Sequence, residues 1–234
     1  MQDMNKLPTV TKNLLIINVL CWMGTLALRK YGIDIHNLFG LHFILAPSFR
    51  IWQLVTYMFL HEGFEHIFFN MFAVWMFGRI MEQTWGSRKF LFFYLACGLG
   101  AGVMQEICQF VHYGVALSAY SSVNLDGVVI PMRTYLDSIL TVGASGAVYG
   151  ILLGYGMTYP ENQLFIIPFP FPIKAKWLVV GYVVLELALG IRGSAADNVA
   201  HFAHLGGMLV GFLIILYWRR RERRSRDNHI DFTW

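Results

Sequence analysis

Charge is scarce in this sequence. Charged residues make up 14% of its 234 positions, where an ordinary soluble domain carries about a quarter. A water-facing surface is not built from so few charges. With 56% hydrophobic residues and a mean hydropathy of +0.52, the chain reads as an integral membrane protein. Cysteine is scarce too. Cys21, Cys97 and Cys108 stand in apolar stretches at no metal-binding spacing, which excludes a thiolate cluster and leaves them as small core residues. There is no internal repeat and no low-complexity tract. Aspartate is missing from every apolar span.

Six apolar stretches are present, over about 13–28, 66–83, 89–110, 144–159, 176–191 and 200–218. The expected fold is an all-α, polytopic bundle of six transmembrane helices. It forms a single domain over 1–234, with a basic tail at 219–234 and no room for a separate soluble domain. Lys6 and Lys12 precede the first span as they would a signal peptide. No small-x-small cleavage site follows, only Leu28-Arg29-Lys30, so this span is expected to be a helix.

The net charge of +4 is concentrated in the run Arg219-Arg220-Arg221-Glu222-Arg223-Arg224-Ser225-Arg226. That run directly follows an apolar span, so it suits anionic lipid headgroups and not nucleic acid. Placing both termini in the cytoplasm puts thirteen of the eighteen Lys and Arg residues inside, as the positive-inside rule favours. The expected location is the inner (plasma) membrane of a bacterium. Of the long outside segments, 29–65 holds Pro47 and Trp52 and suits the membrane interface, while 111–143 reads as a loop over the surface. The inside loop 160–175 contains Pro160, Pro168, Pro170 and Pro172 and cannot be helical throughout.

Polar groups at membrane depth are costly and mark function. Ser145 lies 14 residues before Tyr159, and His204 lies 14 residues before Trp218. Both therefore sit roughly 21 Å above the cytoplasmic boundary of their spans. Asn70 falls at a similar level on span two, with His66 one turn away on the same face. A hydroxyl and an imidazole at one level can form a nucleophile–base pair. Gly146 with Gly150, and Gly207 with Gly211, are small-xxx-small pairs that let spans four and six approach closely. Span four is short, so a water-filled depression is expected above Ser145.

Each signal has a bland reading when taken alone. Glycines and serines are common at packing seams, a buried histidine is often structural, and Tyr149 is an ordinary packing residue. His201, one turn from His204, is the rival base. Four histidines (His61, His66, His201 and His204) invite a metal reading. No carboxylate or thiolate is expected beside them, with Glu62 and Glu65 near the surface, so no metal is expected.

Taken together, residues 51 to 212 resemble the rhomboid family of intramembrane serine proteases. The Gly-x-Ser-Gly-x-x-x-Gly pattern runs from Gly143 through Ser145, Gly146 and Tyr149 to Gly150. His61, His66 and Asn70 match the signature of the first loop and second helix. Gly78, Glu82 and Gly86 follow, and Ala203-His204-Leu205-Gly206-Gly207 precedes Gly211. In this order and spacing the set is highly specific. Two features depart from the family pattern. Trp52 is followed by Gln53 where the family usually has arginine, and the loop 111–143 is longer than usual.

The resemblance implies Ser145 as nucleophile and His204 as general base, a dyad that agrees with the absence of aspartate from the spans. It implies an oxyanion hole made by the Ser145 backbone N–H, His66 and Asn70. Tyr149 would pack under the imidazole, and Gly143, Gly146, Gly150, Gly207 and Gly211 would support the site. Glu82 would be structural. Substrates would be transmembrane proteins, and no metal or organic cofactor is implied. The rivals are a catalytically silent relative that binds membrane clients for quality control, and a small six-helix transporter. The first usually lacks the dyad, and the second needs a polar path through the membrane.

Overall fold

The computed structural model describes residues 7–165, 171–192 and 195–230, apart from the side chains of 195–200 and 226–230. Lys6, Pro168, Pro170, the Arg226 side chain and the tail residues 231–234 lie outside the described residues.

Helix α1 (Thr9–Arg29) starts directly after Pro8 and has no cap of its own. The Glu82 carboxylate caps it from a distance, accepting from Val10 N at 2.9 Å, Thr11 N at 2.7 Å and Thr11 Oγ1 at 2.7 Å. This satisfies amides that have no partner inside a helix and sets a negative charge at the positive end of the dipole. The same carboxylate accepts from Ser87 Oγ at 2.6 Å.

The first long segment then holds α2 (Ile35–Phe39), capped by Asp34, followed by the short strand β1 (Leu41–His42), α3 (Gln53–Thr56) and a 3₁₀ turn at Tyr57–Phe59. Gln53, which stands where an arginine was expected, is buried. Its Oε1 accepts from Arg50 N at 2.9 Å and its Nε2 donates to Ser48 O at 3.1 Å, so it ties the loop from inside.

Helix α4 (Phe64–Ala73) runs through a π turn (Val74–Gly78) into α5 (Arg79–Trp85). Gly86, at φ 83°, closes α5 and opens α6 (Ser87–His112). A side chain would strain that left-handed conformation. The segment 111–143 is more ordered than a surface loop. It holds a π turn (Tyr113–Leu117), a hairpin of β2 (Ser122–Leu125) and β3 (Val128–Pro131), α7 (Met132–Ser138), and β4 (Leu140–Thr141), which pairs with β1. Asp126 and Gly127 turn the hairpin at φ 49° and 92°. Asp-Gly is a strong signal for a tight hairpin turn.

The remainder is α8 (Ser145–Thr158), the pair β5 (Gln163–Leu164) and β6 (Ile173–Lys174), α9 (Ala175–Arg192) and α10 (Ala195–Ile230). The all-α expectation therefore omits three short two-stranded ladders. The last helix also runs well past 218, because arginine, which dominates the tail as far as Arg226, is a good helix former.

Three helical stretches are long and apolar enough to cross a membrane among the described residues: Thr9–Arg29, Ser87–Leu117 and His201–Ser225. The segments at spans two, four and five are helical, but 64–85 is interrupted by the π turn. Helix α8 has only 14 residues, and α9 carries Lys176, Glu186 and Arg192. Helix α8 is the centre of the molecule. Nine of its residues are buried, and it packs on α6, α9 and α10. A helix apolar all round is a core helix. At about 21 Å long it is shorter than a hydrocarbon core of about 30 Å. Ser145, its first residue, thus stands at the end of a short, enclosed rod.

Candidate active site

Ser145 is aimed by the turn that precedes it. Gly143 adopts φ 132°, and its N–H donates to Tyr57 O at 2.9 Å. A Cβ at Gly143 would lie 2.7 Å from His66 Nε2 and 3.7 Å from Ser145 Oγ. Glycine is therefore required twice over, by the backbone conformation and by the imidazole beside it. Because Ser145 opens α8, its backbone N–H is among the first-turn amides without a partner inside the helix. The His66 imidazole and the Ser145 hydroxyl thus both lie beside Gly143. Asn70, buried one turn after His66, donates from Nδ2 to the His66 carbonyl at 3.0 Å, which occupies one of its two N–H groups.

His204 reaches the hydroxyl from α10. Its Nε2 lies 2.8 Å from Ser145 Oγ, and Tyr149 stacks on the imidazole with ring centroids 4.3 Å apart and planes 13° apart. Both His204 and Ser145 are partly exposed, so a reagent can reach them. The close approach depends on glycine, though not as two facing pairs. A Cβ on Gly207 would strike the Gly146 carbonyl of α8. The other glycines mainly admit α6. A Cβ on Gly146 would run into Ala101, one on Gly150 would sit 2.6 Å from Cys97 Sγ, and one on Gly211 would sit 2.9 Å from Phe93 Cζ. The seam joins three helices, and Gly207 makes the direct α10–α8 contact.

A carboxylate joins the site from span five. Glu186, on α9, is buried, and its Oε2 lies 3.1 Å from His204 Nδ1 and 2.7 Å from His201 Nδ1. The expectation that no carboxylate accompanies these histidines is therefore corrected. Span five has no aspartate, but it carries this glutamate within its apolar run. The signal was available. Glu186 lies ten residues after Lys176, roughly 15 Å along the helix from the end of span five that is expected to be cytoplasmic. A glutamate side chain covers the remaining few ångströms to the level of Ser145.

Glu186 also gives the histidines the carboxylate that a metal site would need. Ligand atoms of Glu186, His201 and His204 lie within 4.8 Å of one another. Two histidines and a glutamate form a donor set that zinc can use. The nitrogen–oxygen spacings are those of hydrogen bonds, which already engage these atoms.

His61 packs edge-on against His66, with ring centroids 5.0 Å apart. It is buried in the loop before α4, and burial pushes its imidazole down to about 3, with neighbouring His66 and His36 adding to the shift. It is held neutral beside the site.

The family model of the Rhomboid domain matches residues 48–221. The chain is 29% identical over 161 residues to "Rhomboid protease GluP" of Bacillus subtilis, covering 69% of this chain and 25% of that protein. It is 28% identical over 170 residues to "RHOMBOID-like protein 6, mitochondrial" of Arabidopsis thaliana, covering 70% of this chain and 42% of that one. It is 25% identical over 176 residues to "Rhomboid protease GlpG" of Yersinia pseudotuberculosis, covering 75% of this chain and 51% of that protein. The chain thus spans between a quarter and about half the length of these relatives. The matched domain covers well over half of the chain and includes Ser145, Glu186 and His204. The chain belongs to the rhomboid family and is an integral membrane protein.

Proposed function

We propose that the protein is an intramembrane serine endopeptidase that cleaves transmembrane segments of other membrane proteins. The observation that supports this most directly is the 2.8 Å separation of Ser145 Oγ and His204 Nε2 at the end of a buried helix. In this reading His204 is the base, and His201 is not in contact with the hydroxyl. Ser145 Oγ attacks the scissile carbonyl while its proton passes to His204 Nε2. The carbonyl π electrons move to oxygen, and the resulting oxyanion takes hydrogen bonds from the Ser145 N–H, His66 and the free N–H of Asn70. Each such donor is worth about 3–4 kcal/mol in the transition state. The carbon–nitrogen bond then breaks, with Nε2 returning the proton to the departing amine. Water repeats the sequence on the acyl-enzyme. The proposed steps use no metal or organic cofactor.

A peptide bond inside a substrate helix is shielded by its hydrogen bonds, so the helix must unwind locally. Gly, Pro or small residues near the cleavage point make this easier. In the same reading the six helical segments all cross the membrane and both termini are cytoplasmic. The helical basic tail then lies against anionic headgroups.

The test is labelling with a fluorophosphonate probe, together with cleavage of a single-span model substrate. Wild type should react in both assays, and Ser145→Ala should react in neither while remaining folded in detergent. Equal labelling and cleavage by the mutant would remove Ser145 from the role. A wild type inert in both assays would instead indicate a silent, client-binding relative.

A further inference from the structure

We propose that Glu186 is a positioning residue that fixes His204 for the Ser145–His204 pair, with His201 as a second anchor for its carboxylate. The proposal rests on the proteolytic reading above.

Three observations support it. The first is the hydrogen-bond direction. An ionised carboxylate only accepts. With Oε2 at 3.1 Å from His204 Nδ1 and 2.7 Å from His201 Nδ1, both nitrogens must be donors. Nε2 of His204 is then left with its lone pair facing Ser145 Oγ at 2.8 Å, which is the tautomer a base needs.

The second is burial. The Glu186 side chain is 4% exposed, whereas His204 and His201 are 19% and 22% exposed. Glu186 therefore stands behind the imidazole, where it meets no substrate and acts only through His204.

The third is cost. A carboxylate inside an apolar helix is expensive unless its partners satisfy it. Here α10 supplies two imidazole N–H groups one turn apart, and the Tyr149 phenol of α8 faces the same carboxylate. His201 thus acquires a role without being the base. It holds the oxygen that in turn holds His204. When Ser145 attacks and Nε2 gains the proton, the imidazolium forms beside a fixed negative charge that requires no reorganisation.

The test compares Glu186→Gln, Glu186→Asp and His201→Gln with wild type, as full-length protein in detergent. The rate and affinity terms of fluorophosphonate inactivation are measured separately. Removing the acid of a serine–histidine–acid site costs up to about 10⁴-fold in turnover. Because Tyr149 stacking also holds the ring here, Glu186→Gln is expected to lower the inactivation rate constant about 100-fold on that scale, with the affinity for the probe unchanged. Glu186→Asp should recover part of the rate, and His201→Gln should lose less than Glu186→Gln.

Nitrogen-15 spectra of labelled histidine give a readout independent of reactivity. His204 should carry its proton on Nδ1 in wild type and lose that preference in Glu186→Gln. A wild-type inactivation rate in Glu186→Gln, or an unchanged tautomer, would overturn the proposal. So would loss of labelling on treatment with EDTA and its return with Zn²⁺, since the three side chains would then be metal ligands. If Ser145→Ala labels like wild type, the nucleophile assignment fails instead, and the nitrogen-15 comparison still decides the case for Glu186.

Discussion

Gly207 tests whether the helix seam sets the geometry of the site. It lies one turn after His204 on α10, and a Cβ there would sit 2.8 Å from the Gly146 carbonyl carbon, with the Gly146 oxygen closer still. Non-bonded carbons rest about 3.5–4.0 Å apart, so Gly207→Ala has to push α10 and α8 apart by about 1 Å. Neither side can yield by changing a rotamer, since the collision is with backbone, and Cys97 O of α6 lies 3.3 Å away behind it. The Ser145–His204 hydrogen bond, 2.8 Å long, sits directly across this seam. Lengthened by that amount, it falls outside hydrogen-bond range. A misplacement of about 1 Å costs about a hundredfold in rate, so Gly207→Ala should lose that much, and Gly207→Val more. The assay is the rate of fluorophosphonate labelling and of model-substrate cleavage, at matched folded protein. Gly181→Ala on α9 is the control, because a Cβ there meets nothing within 4 Å. If Gly207→Ala stays within about threefold of Gly181→Ala, far from the hundredfold loss expected, the close approach of α8 and α10 does not set the rate.

Two further predictions concern stability. His61 stays neutral in the fold down to about pH 3, while an exposed histidine titrates near 6.5. The unfolded chain therefore binds the extra proton first. The stability due to the neutral buried ring is complete above pH 6.5 and falls as pH drops from there toward 3, by at most about 1.4 kcal/mol per pH unit. Melting in detergent at pH 7.5 and pH 5 should show a smaller acid loss in His61→Gln than in wild type, and equal losses would refute the assignment. Glu82 holds donors on α1 and α6 with one carboxylate. A hydrogen bond to a charged group contributes about 1.5–3 kcal/mol. Glu82→Ala should therefore lose at least about 3 kcal/mol of stability by denaturant titration, since several donors lose their partner together. A loss under about 1 kcal/mol, less than one such bond, would mean that water replaces the carboxylate at no cost.

The chain's own order of residues determined much of this protein. An apolar composition with few charges demands membrane helices, because such segments have no other favourable solvent. Polar residues interrupting those segments mark the site because lipid does not solvate them. Ser145 and His204 could be brought to one depth by counting rise per residue, and Gly207 could be identified as a close-approach residue because only glycine lets two backbones meet. Asp126-Gly127 carries a hairpin signal in its turn residues, yet the segment 111–143 reads from its composition as a surface loop, and the hairpin there came from the fold. Only the tertiary structure decided which way each helix faces. Rise along an axis is a local property of the chain, but rotation about that axis is set by the packing of neighbours. Gly146, Gly150 and Gly211 therefore turned out to accommodate α6, and Gln53 proved to tie its loop from a buried position. Glu186 proved to face inward from α9 onto His201 and His204, because a carboxylate in lipid is tolerated only where other helices deliver the donors that satisfy it.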